Sequence, residues 1–167
     1  MGGRIVVDET LAPVRIPGSV LHELFAHARQ ACPDECCGLL TGDAAEPFRH
    51  CHRCRNEMGR LHQQDPDRYP RDARHAFHMN ENDTLAVMNE AELRGERVYG
   101  VYHSHVGVEA YFSEVDQEYA LQELFPFPDA SHIVISVAEG AVKEAGAFRW
   151  LPEARRFEGR RVEAGAP

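Results

Sequence analysis

Apolar residues recur at helical spacing early in the chain. Val20, Leu21, Leu24, Phe25 and Ala28 fall on one face of "IPGSVLHELFAHARQACP", which predicts an amphipathic helix that begins near Ser19 and is stopped by Pro33. Before it, "RIVV" at residues 4–7 reads as a short edge strand. After it, "ECCGLLTG" is a continuous apolar run closed by Thr41 and Gly42, and "FRHCHRCRN" alternates between two faces, so the two are expected to pair as a hairpin. The segment 57–78, "EMGRLHQQDPDRYPRDARHAFH", carries two prolines, many charges and no sustained period, and reads as a long loop.

A second helix is expected in "NENDTLAVMNEAELRG", with Leu85, Met88 and Ala91 on its buried side and Gly95 just past its end. "RVYGVYHSH" follows as a strand, then "EVDQEYALQELF" as a third helix starting after Ser113. "SHIVISVA", "GAFRWL" and "RRFEGRRVE" read as the last strands. Helices and strands do not alternate regularly. The pattern therefore predicts an α+β fold around a mixed or antiparallel sheet, flanked by about three helices.

Length fits this reading. A chain of 167 residues can bury a sizeable core and is expected to form one domain over residues 1–167. Acidic residues outnumber basic ones 27 to 18, a net charge of -9 that opposes binding to nucleic acid or to an anionic membrane surface. No stretch of about 18 residues is free of charge, and the N-terminus lacks a signal-peptide core, so a cytoplasmic protein is expected. Five cysteines, an odd number, argue for reduced thiols rather than a disulfide framework.

The densest chemistry lies in "YHSHVGVEAYFSEVD", residues 102–116. Alternation along a strand points His103 and His105 to one face, where they can share a metal ion. The carboxylate of Asp116 could complete a set of two nitrogens and one oxygen, which suits a single Zn2+ and leaves a fourth position for water. Zinc brings the ionisation of water near neutrality, so such a site supplies hydroxide without strong base. Ser113 has two compatible readings. Ser-x-x-Asp before a helix resembles a capping box, and a serine hydroxyl there can also donate to a developing oxyanion.

The stretch "HSHVGVEAYFSEVD" resembles the His-x-His, seven residues, Ser-x-x-Asp signature of the JAMM (MPN+) metallopeptidases, and Glu35 in "DECCGLL" supplies their upstream Glu-x-x-Gly. The resemblance implies a JAMM/MPN-like domain with a cytidine-deaminase-like α/β/α arrangement. It implies that His103, His105 and Asp116 bind one catalytic zinc ion, that Glu35 is the general base and that Ser113 steadies the tetrahedral intermediate. The compact length and the "EAY" before Ser113 are similar to the small prokaryotic members. That similarity implies a ubiquitin-like sulfur-carrier protein as partner, cut after its Gly-Gly tail to release an amino acid such as cysteine. A homodimer is compatible with the sequence, as is a monomer.

Two other readings compete. A catalytically inactive scaffold of the same fold would lack part of the set, whereas Glu35, His103, His105, Ser113 and Asp116 are all present. A thiol-based metal or redox module would use "CHRC" with Cys51 and Cys54, joined by Cys32, Cys36 or Cys37. His50, His52, His62, His75 and His78 are read as solvated or hydrogen-bonded and are left out of the metal set. The loop 57–78, with Tyr69 and Phe77, is expected to cover a groove for an extended substrate tail.

Overall fold

The computed structural model describes residues 3–165. Strand β1 (Val14–Pro17) leads directly into helix α1 (Gly18–Ala31); β2 (Cys37–Gly42) and β3 (His50–Cys54) follow, then the short α2 (Met58–Gln64) and α3 (Glu81–Leu93). The chain continues through β4 (Arg97–Val106), α4 (Glu114–Ala120), β5 (Ser131–Ala138), β6 (Ala141–Leu151) and β7 (Arg156–Gly165). The strands form one seven-stranded sheet in the order β1-β7-β6-β5-β4-β2-β3. Only β1 with β7 and β4 with β5 run parallel; the other neighbours are antiparallel, so the sheet is mixed.

Neighbouring residues along the strands sort into two cores because side chains alternate across a sheet. Leu40, Tyr102, Ile133 and Ile135 pack with Val20, Leu21, Leu24 and Ala28 of α1. Their neighbours Leu39 and Val101 pack on the opposite face with Val87 of α3, together with Phe77 and Met79. The result is the α/β/α layering expected of the fold. Burying the α1 stripe contributes roughly 1.5–3 kcal/mol for each of its large side chains.

Several expectations need correction. Residues 4–7 form no strand; Ile5 makes a single bridge to Phe112, while the edge position is taken by β1, which pairs Val14 to Pro17 with Val162 to Gly165. The segment 57–78 is not all loop, since α2 occupies Met58–Gln64, which brings the helices to four among the described residues. On α3 the buried residues are Val87 and Ala91, whereas Leu85 and Met88 are 55% and 38% exposed. The i, i+4 pair Val87 and Ala91 forms a narrow stripe over the sheet, and the apolar residues beside it face outward. Helix α4 ends at Ala120, earlier than its sequence suggests; beyond it, Phe125 and Phe127 fold back onto the α3-side core. No helix among the described residues is long and apolar enough to cross a membrane.

Candidate metal centre

Strand β4 runs between β2 and β5, and its last turns carry the two histidines on the α3 side of the sheet. His103 is paired with Cys37 on one neighbour and with Val134 on the other, so its backbone is held from both sides. Helix α4 begins just beyond the strand. Its start is fixed by a reciprocal capping box in which Ser113 Oγ accepts from the Asp116 amide at 3.0 Å and Asp116 Oδ2 accepts from the Ser113 amide at 3.0 Å. The cap does two jobs. It satisfies the helix terminus, worth about 1 kcal/mol, and it holds the Asp116 carboxylate over the strand end.

The ring nitrogens then converge on that carboxylate. His103 Nε2 lies 3.3 Å from His105 Nε2 and 3.3 Å from Asp116 Oδ1, and His105 Nε2 lies 3.4 Å from Asp116 Oδ2. Tetrahedral bonds of about 2.0–2.1 Å would space neighbouring donors about 3.3–3.4 Å apart. The two imidazole nitrogens have that spacing, and with the adjoining carboxylate they form a donor set whose chemistry fits a zinc ion. It is also the one cluster of three or more such side chains, among the described residues, that could hold a metal.

The surroundings fix the donors further. His105 Nδ1 donates to the Glu109 carbonyl at 2.9 Å, which fixes the ring with Nε2 turned toward Asp116. The His103 ring stacks on Phe77 at 4.5 Å, and Tyr111 meets His105 edge-on at 5.0 Å. His103 Nδ1 is buried with no hydrogen-bond partner among the described residues. His103, His105 and Asp116 are all buried, at 1%, 6% and 8% exposure. Burial pushes the Asp116 carboxyl upward, but the charges and hydrogen bonds of the two histidines outweigh it and hold the group well below the usual carboxylate range. It stays ionised.

Glu35 lies just before β2 and lines the same cavity as His105, Ser113 and Asp116, a space of about 710 Å³. Its carboxyl is pushed up to about 9, first by burial and then by the negative charge of Asp116, with Arg71 opposing. Gly38, three residues on, has no room for a side chain: a Cβ there would overlap the Tyr102 ring and the His52 carbonyl. The glycine lets the β2 backbone lie against Tyr102, which is why the spacing from Glu35 to Gly38 matters.

Sequence reading missed Asn56. Its amide donates to the Glu35 carbonyl at 3.0 Å and to the Ala76 carbonyl at 3.1 Å, and its oxygen accepts from the amides of Met58 and His78 at 3.0 Å each. Two donors and two acceptor sites are thereby all used. Asn56 fastens both ends of the 57–78 segment to the Glu35 backbone. The only signal in the sequence was a polar residue at the end of a strand.

The cysteines do not assemble. Cys51 and Cys54 are three apart on a strand and so face opposite sides: Cys51 packs in the α1 core and Cys54 in the α3-side core. Cys36 and Cys37 divide in the same way, and Cys32 lies with the α1 core. Burial raises the thiols of Cys36 and Cys54 to about 12 and that of Cys51 to about 11, which disfavours the thiolate that metal binding and redox exchange require.

The family model that describes prokaryotic homologs of the JAB domain matches residues 17–151. The chain is 27% identical over 136 residues to the CysO-cysteine peptidases of Mycobacterium tuberculosis and Mycobacterium bovis, with 80% of this chain and 80% of each relative covered. It is similar in fold to a solution structure from Desulfitobacterium hafniense, with a TM-score of 0.65 at 20% identity over 92% of this chain and 93% of that one. A solution structure from Salinibacter ruber gives a TM-score of 0.59 at 25% identity over 92% of both chains. With most of its length matched, and with the fold and the cluster of His103, His105 and Asp116 in place, the chain belongs to the prokaryotic JAB family of JAMM/MPN domains.

Proposed function

We propose that the protein is a zinc-dependent peptidase that hydrolyses the amide bond after the C-terminal Gly-Gly of a ubiquitin-like sulfur-carrier protein, releasing an amino acid such as cysteine. The observation that carries this reading is the convergence of the His103 and His105 Nε2 atoms, 3.3 Å apart, on the two oxygens of the Asp116 carboxylate at 3.3 and 3.4 Å, in the cavity that Glu35 also lines. The similarity to CysO-cysteine peptidases supports the choice of substrate.

His103, His105 and Asp116 would hold the zinc ion, which when bound would act as a Lewis acid toward the carbonyl and ease the ionisation of water. Glu35 takes a proton from the attacking water as its oxygen bonds to the glycine carbonyl carbon. It returns that proton to the amine as the C–N bond breaks, leaving a carboxylic acid and a free amine. Burial and the charge of Asp116 favour the protonated carboxyl, which suits the return of the proton to the amine. The charge of a zinc ion in the centre would favour the ionised form that accepts it. Ser113 already accepts through Oγ from the Asp116 amide, so its hydroxyl hydrogen is free to donate to the developing oxyanion. Phe77 and Tyr111 cover the two imidazole rings and limit water around them. Glycines in the substrate tail let its backbone come close to the centre, where side chains would collide with the walls.

The test is to incubate the zinc-loaded protein with a sulfur-carrier protein extended by one cysteine after Gly-Gly and follow the carrier's mass. Loss of that single residue is expected, with sharply reduced cleavage when either glycine is replaced by a bulky residue. A carrier that stays intact while unrelated peptides are cut would replace this reading with a general metallopeptidase.

A further inference from the structure

One wall of the cavity differs from the rest of this acidic chain. Residues 68–75 contribute three arginines, Arg68, Arg71 and Arg74, and all three are exposed and line the cavity. Among the described residues none of their guanidinium groups has a hydrogen-bond or ion-pair partner, although Arg49, Arg55, Arg60 and Arg94 elsewhere are paired with carboxylates. The one carboxylate on this wall, Asp72, is already bonded to the His75 ring at 2.7 Å. The remaining acids of the cavity, Glu35, Asp116 and Glu118, sit on other elements.

The wall is also fixed in position. The Glu35 amide donates to the Ala73 carbonyl at 2.8 Å, and Asn56 ties the Ala76 and His78 backbone to the same place. Arg71 is therefore held two residues from a direct main-chain bond to Glu35. Its charge is felt there, since it is the cation that opposes the upward push on the Glu35 carboxyl.

We infer that this wall selects a substrate whose leaving group ends in a free carboxylate, with Arg71 as the positioning residue that receives it. The inference rests on the peptidase reading above and narrows it. A leaving group of one amino acid puts its carboxylate within a residue's span, about 3.5 Å, of the bond that is cut. An unpaired guanidinium meets a carboxylate through two parallel N–H donors, which gives orientation as well as attraction. A carrier joined to a lysine side chain offers no carboxylate at that distance. The protein is thus a processing enzyme for single-residue C-terminal adducts rather than a general isopeptidase.

The experiment compares three substrates built on one carrier: a one-residue extension with a free carboxylate, the same extension as its carboxamide, and an isopeptide link to the lysine of a short peptide. The wild-type protein is expected to cut the free acid with a kcat/KM about 10–100 times that for the other two, mostly through KM. Arg71→Gln should raise KM for the acid to the carboxamide level, with kcat little changed and the carboxamide barely affected. Arg71→Lys should recover part of the preference. Circular dichroism and zinc content of each variant verify the fold. Equal cleavage of acid and carboxamide by the wild type overturns the inference while leaving the peptidase reading intact. An equal loss on both substrates in Arg71→Gln also overturns it, because the arginine would then be meeting acidic groups of the carrier itself. If the wild type cuts none of the three, the peptidase reading falls and this one with it.

Discussion

Two sets of metal-type side chains were visible in this chain, and folding treats them in opposite ways. His103, His105 and Asp116 come together, the two Nε2 atoms 3.3 Å apart and each 3.3–3.4 Å from one oxygen of the carboxylate. The five cysteines, though close in sequence, are divided between the two faces of the sheet and buried among apolar groups. The decisive difference is parity. A spacing of two along a strand keeps side chains on one face, whereas the spacing of three in "CHRC" separates them. Burial then acts on each set in its own way: around Asp116 it is outweighed by two histidines, while around Cys36 and Cys51 it outweighs the opposing hydrogen bonds of Ser104 and Tyr102, and around Cys54 nothing opposes it, so the thiols remain protonated.

The most direct way to break this comparison is to remove one member of the histidine set. His103→Ala should abolish both zinc binding and turnover, as measured by metal analysis and carrier cleavage. Glu35→Gln should keep one zinc per chain and the fold while kcat falls by about 10²- to 10⁴-fold, because a base is lost and no ligand is. Retention of full zinc by His103→Ala, or loss of zinc from Glu35→Gln, would reassign the two residues.

A smaller effect is expected on the thiol side. Cys54→Ala and Cys51→Ala should each leave zinc content and turnover unchanged and cost about 1–2 kcal/mol of stability through lost packing, read from urea midpoints. A drop in zinc from a folded Cys54→Ala protein would show that the thiols contribute after all.

The smallest effect sharpens the picture of the α1 core as a neutral network. Cys51 Sγ donates to the Tyr102 hydroxyl at 3.6 Å, and that hydroxyl lies 2.7 Å from His27 Nδ1, so thiol, phenol and imidazole form one hydrogen-bonded chain. Burial lowers the His27 pKa from 6.5 to about 4, with the charge of Arg53 adding to it. Between these values the unfolded chain binds the proton more readily. This contribution to stability is therefore complete above pH 6.5, is lost as pH falls from 6.5 toward 4, and changes no further below that. His27→Gln should flatten part of the acid-side decline in urea midpoint, by less than either cysteine substitution shifts it, since solvent screens this half-buried site. An unchanged pH profile in that variant would place the titrating group elsewhere.

What the sequence determined was local. His-x-His needs only strand alternation, Ser113-x-x-Asp116 needs only the geometry of a helix start, and Val20, Leu21, Leu24 and Ala28 need only the helical period, so each could be read within a few residues. What only the tertiary structure decided depends on partners far away in the chain. Val14–Pro17 becomes an edge strand because residues 162–165 lie alongside it, and Ile5 does not because it finds only Phe112. Val87 rather than Leu85 is buried because of where the α3 axis settles on the sheet. Asn56 matters because three of its four hydrogen bonds join it to residues about 20 positions away, Glu35, Ala76 and His78. Short-range periodicity carries the first kind of information. The second kind is set by which distant surfaces lose their water together, and no window of the sequence contains both sides of that choice.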